Sequence, residues 1–163
     1  MPRERLNNPP LNVVLVEPQI PPNTGNVARL CAAAAVHLIL VGELGFELSD
    51  STLKRAGLDY WEFVSWEHIP DSERFFNNLP DRSFHLMTTH AETPYSRIPA
   101  AWGDYLIFGK ETAGLPKPLL GTYRDQCYTI PMVEPGVRSL NLSTSVAIVL
   151  YDLLKRVRPF EGV

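Results

Sequence analysis

The chain reads as an α/β protein, a single domain with a mostly parallel sheet flanked by helices. Three observations predict this. Short apolar or β-branched runs alternate with helical patterns along the chain, the order that builds a parallel sheet covered on both faces. Polar or flexible residues collect just beyond three of the strand runs, at Glu17, Gly109 and Pro131, which is where open α/β sheets bind ligands. The 163 residues, 45% hydrophobic and 20% charged, fit one core over 1–163 and argue against disorder.

Strands are expected at Asn12 to Glu17, His37 to Val41, Phe63 to Trp66, Phe84 to Thr88, Tyr105 to Phe108 and Cys127 to Ile130. After the first of these, Pro18, Pro21 and Pro22 stop the strand and hold the loop extended. Asn23 or Thr24 then caps a helix from Thr24 to Ala35, whose Val27, Leu30, Cys31 and Ala34 fall on one face. Further helices are expected at Ser49 to Ala56, Asp71 to Leu79, Pro116 to Leu120 and Leu140 to Val157. In the last of these, Leu142, Val146, Val149, Leu150, Leu153 and Leu154 demand burial, in a core or between subunits. Lys155, Arg156 and Arg158 complement its C-terminus, and Pro159 stops it. The 15 prolines lie mainly at element junctions, and no linker, repeat or low-complexity tract divides the chain.

Three segments carry candidate chemistry. In Ile130 to Asp152 a polar turn runs into the apolar helix, and Arg138, Ser139, Asn141 and Ser143 crowd its N-terminus, where free N–H donors and the helix dipole receive a polar ligand. In Glu17 to Ala35, Asn26 and Arg29 share a helix face one turn apart and can together hold a phosphate or sugar. In Tyr105 to Pro116 a strand ends in a loop carrying one carboxylate, Glu111, between Gly109 and Gly114, which permit positive φ and close approach of a ligand to the main chain. Capping alone, a surface ion pair for Arg29 and a plain two-glycine turn are the simpler accounts of each segment taken singly.

Charge and composition narrow the classes. A net charge of −3 and a pI near 5.8 weigh against a nonspecific nucleic-acid coat, although a local basic surface can still be built from Arg29, Lys54, Arg55, Arg97, Lys110 and Arg138. No apolar run reaches the ~18 residues of a membrane span, and no signal peptide is seen, so a cytoplasmic protein is expected. Cys31 and Cys127 form no ligand pattern and read as reduced core thiols, while His37, His68, His85 and His90 are scattered; no metal is expected. The absence of a GxGxxG or P-loop sequence disfavours dinucleotide or ATP binding.

Pro-Pro-Asn-Thr-Gly-Asn with Arg29, Phe-Gly-x-Glu with Gly114, and Arg-Ser-x-Asn-Leu-Ser, in this order, resemble the three motifs of the SPOUT class of RNA methyltransferases. The run Arg55-Ala-Gly-Leu-Asp-Tyr60 is similar to one in the tRNA wobble-nucleotide 2′-O-methyltransferases of that class. Lys110 departs from the small residue or proline more common there, and His90-Ala91 from a Lys-Gly pair. The resemblance implies a C-terminal trefoil knot, a homodimer that completes the RNA site, S-adenosylmethionine as cofactor, and tRNA as substrate, methylated on the wobble ribose of cytidine or a modified uridine. It also implies Met87, Gly109, Ile130 and Ser139 as cofactor contacts, Arg29, Asn26, Glu111 and Asn141 as catalytic residues, and Arg29, Arg55, Tyr60 and Arg138 as RNA contacts. Because Ser and Asn are not bases near neutral pH and Arg29 does not readily lose its proton, Glu111 is the one motif carboxylate able to act as a base, unless it serves only to order its loop. The alternatives are 2′-O-methylation at another RNA site and a noncatalytic RNA- or nucleotide-binding module; binding of the methyl donor separates the module from the enzymes.

Overall fold

The computed structural model describes residues 5–49, 51, 55, 58–79 and 83–161. Its strands are β1 (Leu11–Val16), β2 (His37–Val41), β3 (Ser65–Ile69), β4 (Phe84–Met87), β5 (Asp104–Phe108) and β6 (Cys127–Tyr128). They form one sheet in the order β3-β2-β1-β5-β4-β6, with every recorded pairing parallel. The helices are α1 (Pro21–Ala34), α2 (Ser72–Asn77), α3 (Lys117–Thr122) and α4 (Leu142–Val157). The helix expected over 49–56 falls mostly outside the described residues.

The strands are apolar throughout because both faces are covered, and their period of two divides them between two cores. Leu11, Val13 and Leu15 of β1, with Leu38, Leu40 and Leu106, join Val27, Ala28 and Cys31 of α1 and the buried face of α4. Val14 and Val16, with Ile39, Val41, Leu86 and Ile107, join Phe75 of α2 and Leu115 on the other side. Asn12, polar within this apolar strand, donates its side-chain N–H to the Gly103 carbonyl at 3.0 Å. Leu142, Val146, Val149, Leu150, Leu153 and Leu154 are the buried residues of α4, and Val149 has no exposed surface within the single chain. Their burial therefore needs no second subunit.

Several boundaries differ from expectation, most of all those of β3, which ends at Ile69 rather than Trp66, and the start of α1. β3 begins at Ser65 rather than Phe63, because Leu58–Phe63 wind into a 3-10 segment and pairing with β2 fixes the strand from His37↔Ser65 to Val41↔Ile69. The helix α1 begins at Pro21 rather than Thr24, and neither Asn23 nor Thr24 caps it; the N-cap position is Ile20. Pro21 and Pro22 open the helix instead of extending the loop, since a first-turn proline has no intrahelical N–H to lose and its φ is preset for a helix. At the other end Ala35 turns left-handed, with φ 52°, and its N–H closes on Ala32 and Cys31.

The N-terminal ends of the strands hold paired polar groups. Ser65 accepts the Leu6 N–H at 2.9 Å and lies 2.8 Å from Nδ1 of buried His37, whose Nε2 lies 3.1 Å from Glu67. A consistent proton arrangement has Ser65 donating to Nδ1 and Nε2–H donating to Glu67. Burial lowers the His37 pKa below its ordinary 6.5, outweighing the opposing pull of Glu67. His85 lies 2.8 Å from buried Asp104, which also accepts the Ala101 N–H at 2.9 Å. These groups serve the scaffold.

Candidate active site

At the opposite, C-terminal ends of the strands, the topology reverses between β1, which leads toward β2, and β5, which leads toward β6 on the far edge. The crevice above such a reversal is the ligand position of open α/β sheets. The two loops that leave β1 and β5 there are fastened together. Glu111 accepts from the main-chain N–H groups of Gln19 at 2.9 Å and Ile20 at 3.1 Å, and from the Asn23 amide at 3.4 Å. Thr112 donates to the Gln19 side chain at 2.6 Å, and Lys110 lies 3.5 Å from Glu17. Glu17 itself holds a left-handed φ of 50° as β1 ends. Lys110, the departure from the family pattern, thus has its charge matched locally.

Asn23 extends this connection to the third loop. Its side-chain oxygen accepts from the Asn141 amide at 3.0 Å, while Asn141 caps α4 by accepting from Ser143 N–H at 2.9 Å and Thr144 N–H at 3.3 Å. Ser143 Oγ also donates to Asn141, at 2.6 Å. Glu111, Asn23 and Asn141 therefore form one hydrogen-bonded chain across three segments that are far apart in sequence. With both Glu111 oxygens engaged by N–H donors, the carboxylate is arranged to hold the β1 loop and the start of α1.

Met87, Gly109 and Ile130 come together at adjacent strand ends. Met87 pairs with Phe108 on one side and Tyr128 on the other, so Gly109 and Ile130 follow one and two residues beyond its neighbours. Among the described residues, the Ile130 N–H makes no hydrogen bond to protein. A main-chain N–H without a protein partner at the strand ends fits a nucleoside-like ligand, which offers donors and acceptors at its base and ribose. Gly109 is required for a different reason from the one the sequence offers. A Cβ there would lie 2.1 Å from the Gly114 carbonyl carbon and 2.2 Å from Leu115 N, so the chain's own backbone fills the space. Gly114 is the glycine that uses positive φ, at 66°.

Arg138 and Ser139 lie exposed in the loop before Asn141, and no side-chain hydrogen bond joins them to the other candidates among the described residues. Asn26 and Arg29 are exposed on α1, and Arg29 meets Tyr60, with NH2 3.4 Å from the phenol oxygen. Arg55 is exposed. A cleft of about 820 Å³ opens beside Thr88, lined by His90, Thr93, Lys117, Arg124 and Cys127 among others; Gly109, Ile130 and Ser139 do not line it, so it adjoins the strand-end site without being that site. Among the described residues no group of three or more His, Cys, Asp and Glu is placed to hold a metal, and no helix is long and apolar enough to cross a membrane. Sequence reading gave Asn23 only a cap and missed Gln19 and Thr112; an amide and two hydrogen-bonding side chains beside the motif carboxylate were the available signals.

Comparison with known proteins agrees with this architecture. A putative tRNA (cytidine(34)-2′-O)-methyltransferase of Geobacillus stearothermophilus is 44% identical over 156 residues, covering 94% of this chain and 98% of the relative. The tRNA (cytidine(34)-2′-O)-methyltransferase of Escherichia coli K12 is 41% identical over 148 residues, covering 90% and 94%. A solved structure described as giving structural insights into the 2-OH methylation of C/U34 on tRNA superposes with a TM-score of 0.84 at 39% identity, covering 90% of this chain and 95% of that one. The family pattern of the SpoU rRNA methylases matches residues 10–151, and the chain belongs to that family.

Proposed function

We propose that this chain transfers a methyl group from S-adenosylmethionine to the ribose 2′-hydroxyl of the nucleotide at tRNA position 34, taking cytidine or uridine. The observation that carries the reading is the Glu111–Asn23–Asn141 chain, which fixes the three motif loops about one crevice. The donor, when bound, supplies an electrophilic methyl group on sulfur. The main-chain edges at Met87, Gly109 and Ile130, with Ser139 from the last loop, would hold it.

Asn26 and Arg29 face solvent one helical turn apart, where they can receive the ribose and its phosphate. Arg29 keeps its proton and stabilises negative charge growing on the attacking oxygen. Asn141 and Asn23, neutral amides, orient rather than accept protons. Glu111 works here as a clasp, so alignment of acceptor and methyl carbon, capable of effective molarities of about 10⁵–10⁸ M, carries more of the rate than a base worth about 10²–10⁴-fold. Arg55 and Arg138 extend the RNA contact, and Tyr60 stands against Arg29 beside it. A homodimer in the cytoplasm is part of the same reading, supported by exposed Trp102, Tyr151 and Phe160, which the single chain leaves uncovered. The C-terminal knot belongs to it too, supported by the return of the chain from edge strand β6 to pack α4 against α1.

Total tRNA incubated with labelled S-adenosylmethionine, followed by mapping of the labelled nucleotide, tests the reading: label on the ribose at position 34 is expected, and label elsewhere or none rejects it. Arg29→Ala should retain donor affinity by calorimetry while single-turnover transfer falls at least about 100-fold, and Arg29→Lys should fall less, since it keeps the charge but loses the fork. Near-normal turnover in Arg29→Ala would leave Arg29 a surface residue.

A further inference from the structure

Arg29 and Tyr60 lie on separate elements, α1 and the 3-10 segment Leu58–Phe63, yet their side chains meet. The guanidinium carbon stands 4.6 Å from the centre of the Tyr60 ring, and NH2 lies 3.4 Å from the phenol oxygen. Both residues are exposed, Tyr60 at 40%. The segment is anchored from its other side: Trp61 packs on Trp66 of β3 with ring centres 5.3 Å apart, and both indoles border the core under α1. Tyr60 is therefore held where it is without needing Arg29.

We propose that Tyr60 is a positioning residue for Arg29, a fixed aromatic plate that pre-orients the guanidinium for the RNA phosphate; this rests on the methyl-transfer reading above. An arginine on an exposed helix face samples many rotamers, and a bidentate phosphate grip requires one of them. A ring close beside the guanidinium, with a hydroxyl at one NH2, restricts that freedom. The remaining N–H donors of the guanidinium are taken by no other protein group among the described residues. The ring also supplies negative quadrupole charge that favours the cation without neutralising it, as a carboxylate partner would. Tyr60 would then act on transfer through Arg29, with no contact of its own to the reacting atoms.

The test is a double-mutant cycle in single-turnover methyl transfer to tRNA at saturating donor, with donor affinity measured beside it. Tyr60→Leu should lower transfer by about 5- to 30-fold with donor affinity unchanged, and Tyr60→Phe, which keeps the plate, should stay within about 3-fold of wild type. In an Arg29→Ala background, Tyr60→Leu should cost less than about 2-fold more. Losses that multiply in the double variant would mean that Tyr60 meets the RNA independently, overturning the inference while leaving the methyl-transfer reading intact. An inactive wild-type protein would overturn that reading instead. NMR order parameters of the Arg29 Nε–H bond decide the stacking without any turnover: they should fall in Tyr60→Leu and persist in Tyr60→Phe, and an Arg29 equally mobile in all three proteins would overturn the positioning role.

Discussion

The helices α1 and α4 both begin at the candidate site, and their starts are held in different ways. Asn141 caps α4 from its own sequence, binding the N–H groups two and three residues ahead. α1 starts at two prolines with no side-chain cap of its own, and the carboxylate that receives N–H groups just before it comes from Glu111, more than ninety residues later. A local cap stabilises a helix wherever it sits. An anchor from a distant residue on the chain leading into a helix makes the helix start depend on the tertiary fold, and so couples the placement of Asn26 and Arg29 to the loop after β5.

The largest test of this contrast is Glu111→Ala, which strands two main-chain N–H groups and the Asn23 amide. Urea unfolding should show a loss of about 2–4 kcal/mol, with methyl transfer falling alongside. Glu111→Gln separates clasp from base: it keeps an acceptor, so a clasp predicts small, parallel losses in stability and turnover. Full stability with turnover lost by about 100-fold or more would restore the base role. Asn141→Ala removes the local cap and the Asn23 link together and should cost about 1–2 kcal/mol in the same assay. If α1 and α4 are coupled through Asn23, this loss and that of Glu111→Ala will not add; simple additivity would show two independent helix starts.

The smallest effect lies away from the site and serves as its control. The His37 pKa is lowered on folding, so the unfolded chain holds that proton more tightly. Stability should then fall as pH drops below the ordinary value of 6.5 toward the lower folded value, with no contribution from this group above it. The thermal midpoint followed between about pH 7.5 and about pH 5 should slope less in His37→Gln than in wild type, with Asn141→Ala keeping the wild-type slope.

The same contrast explains what could be read from the sequence. α4 was legible to within two residues at its start because its apolar stripe, Asn141 cap and terminal Pro159 are all local. The start of α1 was misplaced because its nearest capping types, Asn23 and Thr24, lie inside the first turn, while the acceptor that serves it is distant in sequence. Strands β2, β4 and β5 were placed within a residue at each end because continuous apolar runs mark doubly covered strands. β3 was not, since its limits are set by pairing to β2 and not by its own polar-rich composition. Among the candidate site residues, Met87, Gly109 and Ile130 stand at the ends of adjacent strands. The hydrogen-bonded chain through Asn23 could not be read, because it joins three segments whose proximity exists only after folding.

The contact of Gly109 with the backbone at Gly114 and Leu115 bears on how such a site can change over generations. Any side chain at 109 collides with main chain rather than with a movable neighbour, so no single accommodating substitution nearby can rescue it. Side-chain changes in this loop should be tolerated far better at its exposed tip, where Thr112 and Ala113 project, than at Gly109. The backbone at this strand end is thus set by main-chain packing, while the charge of Lys110 beside it is answered by Glu17 and is free of that constraint.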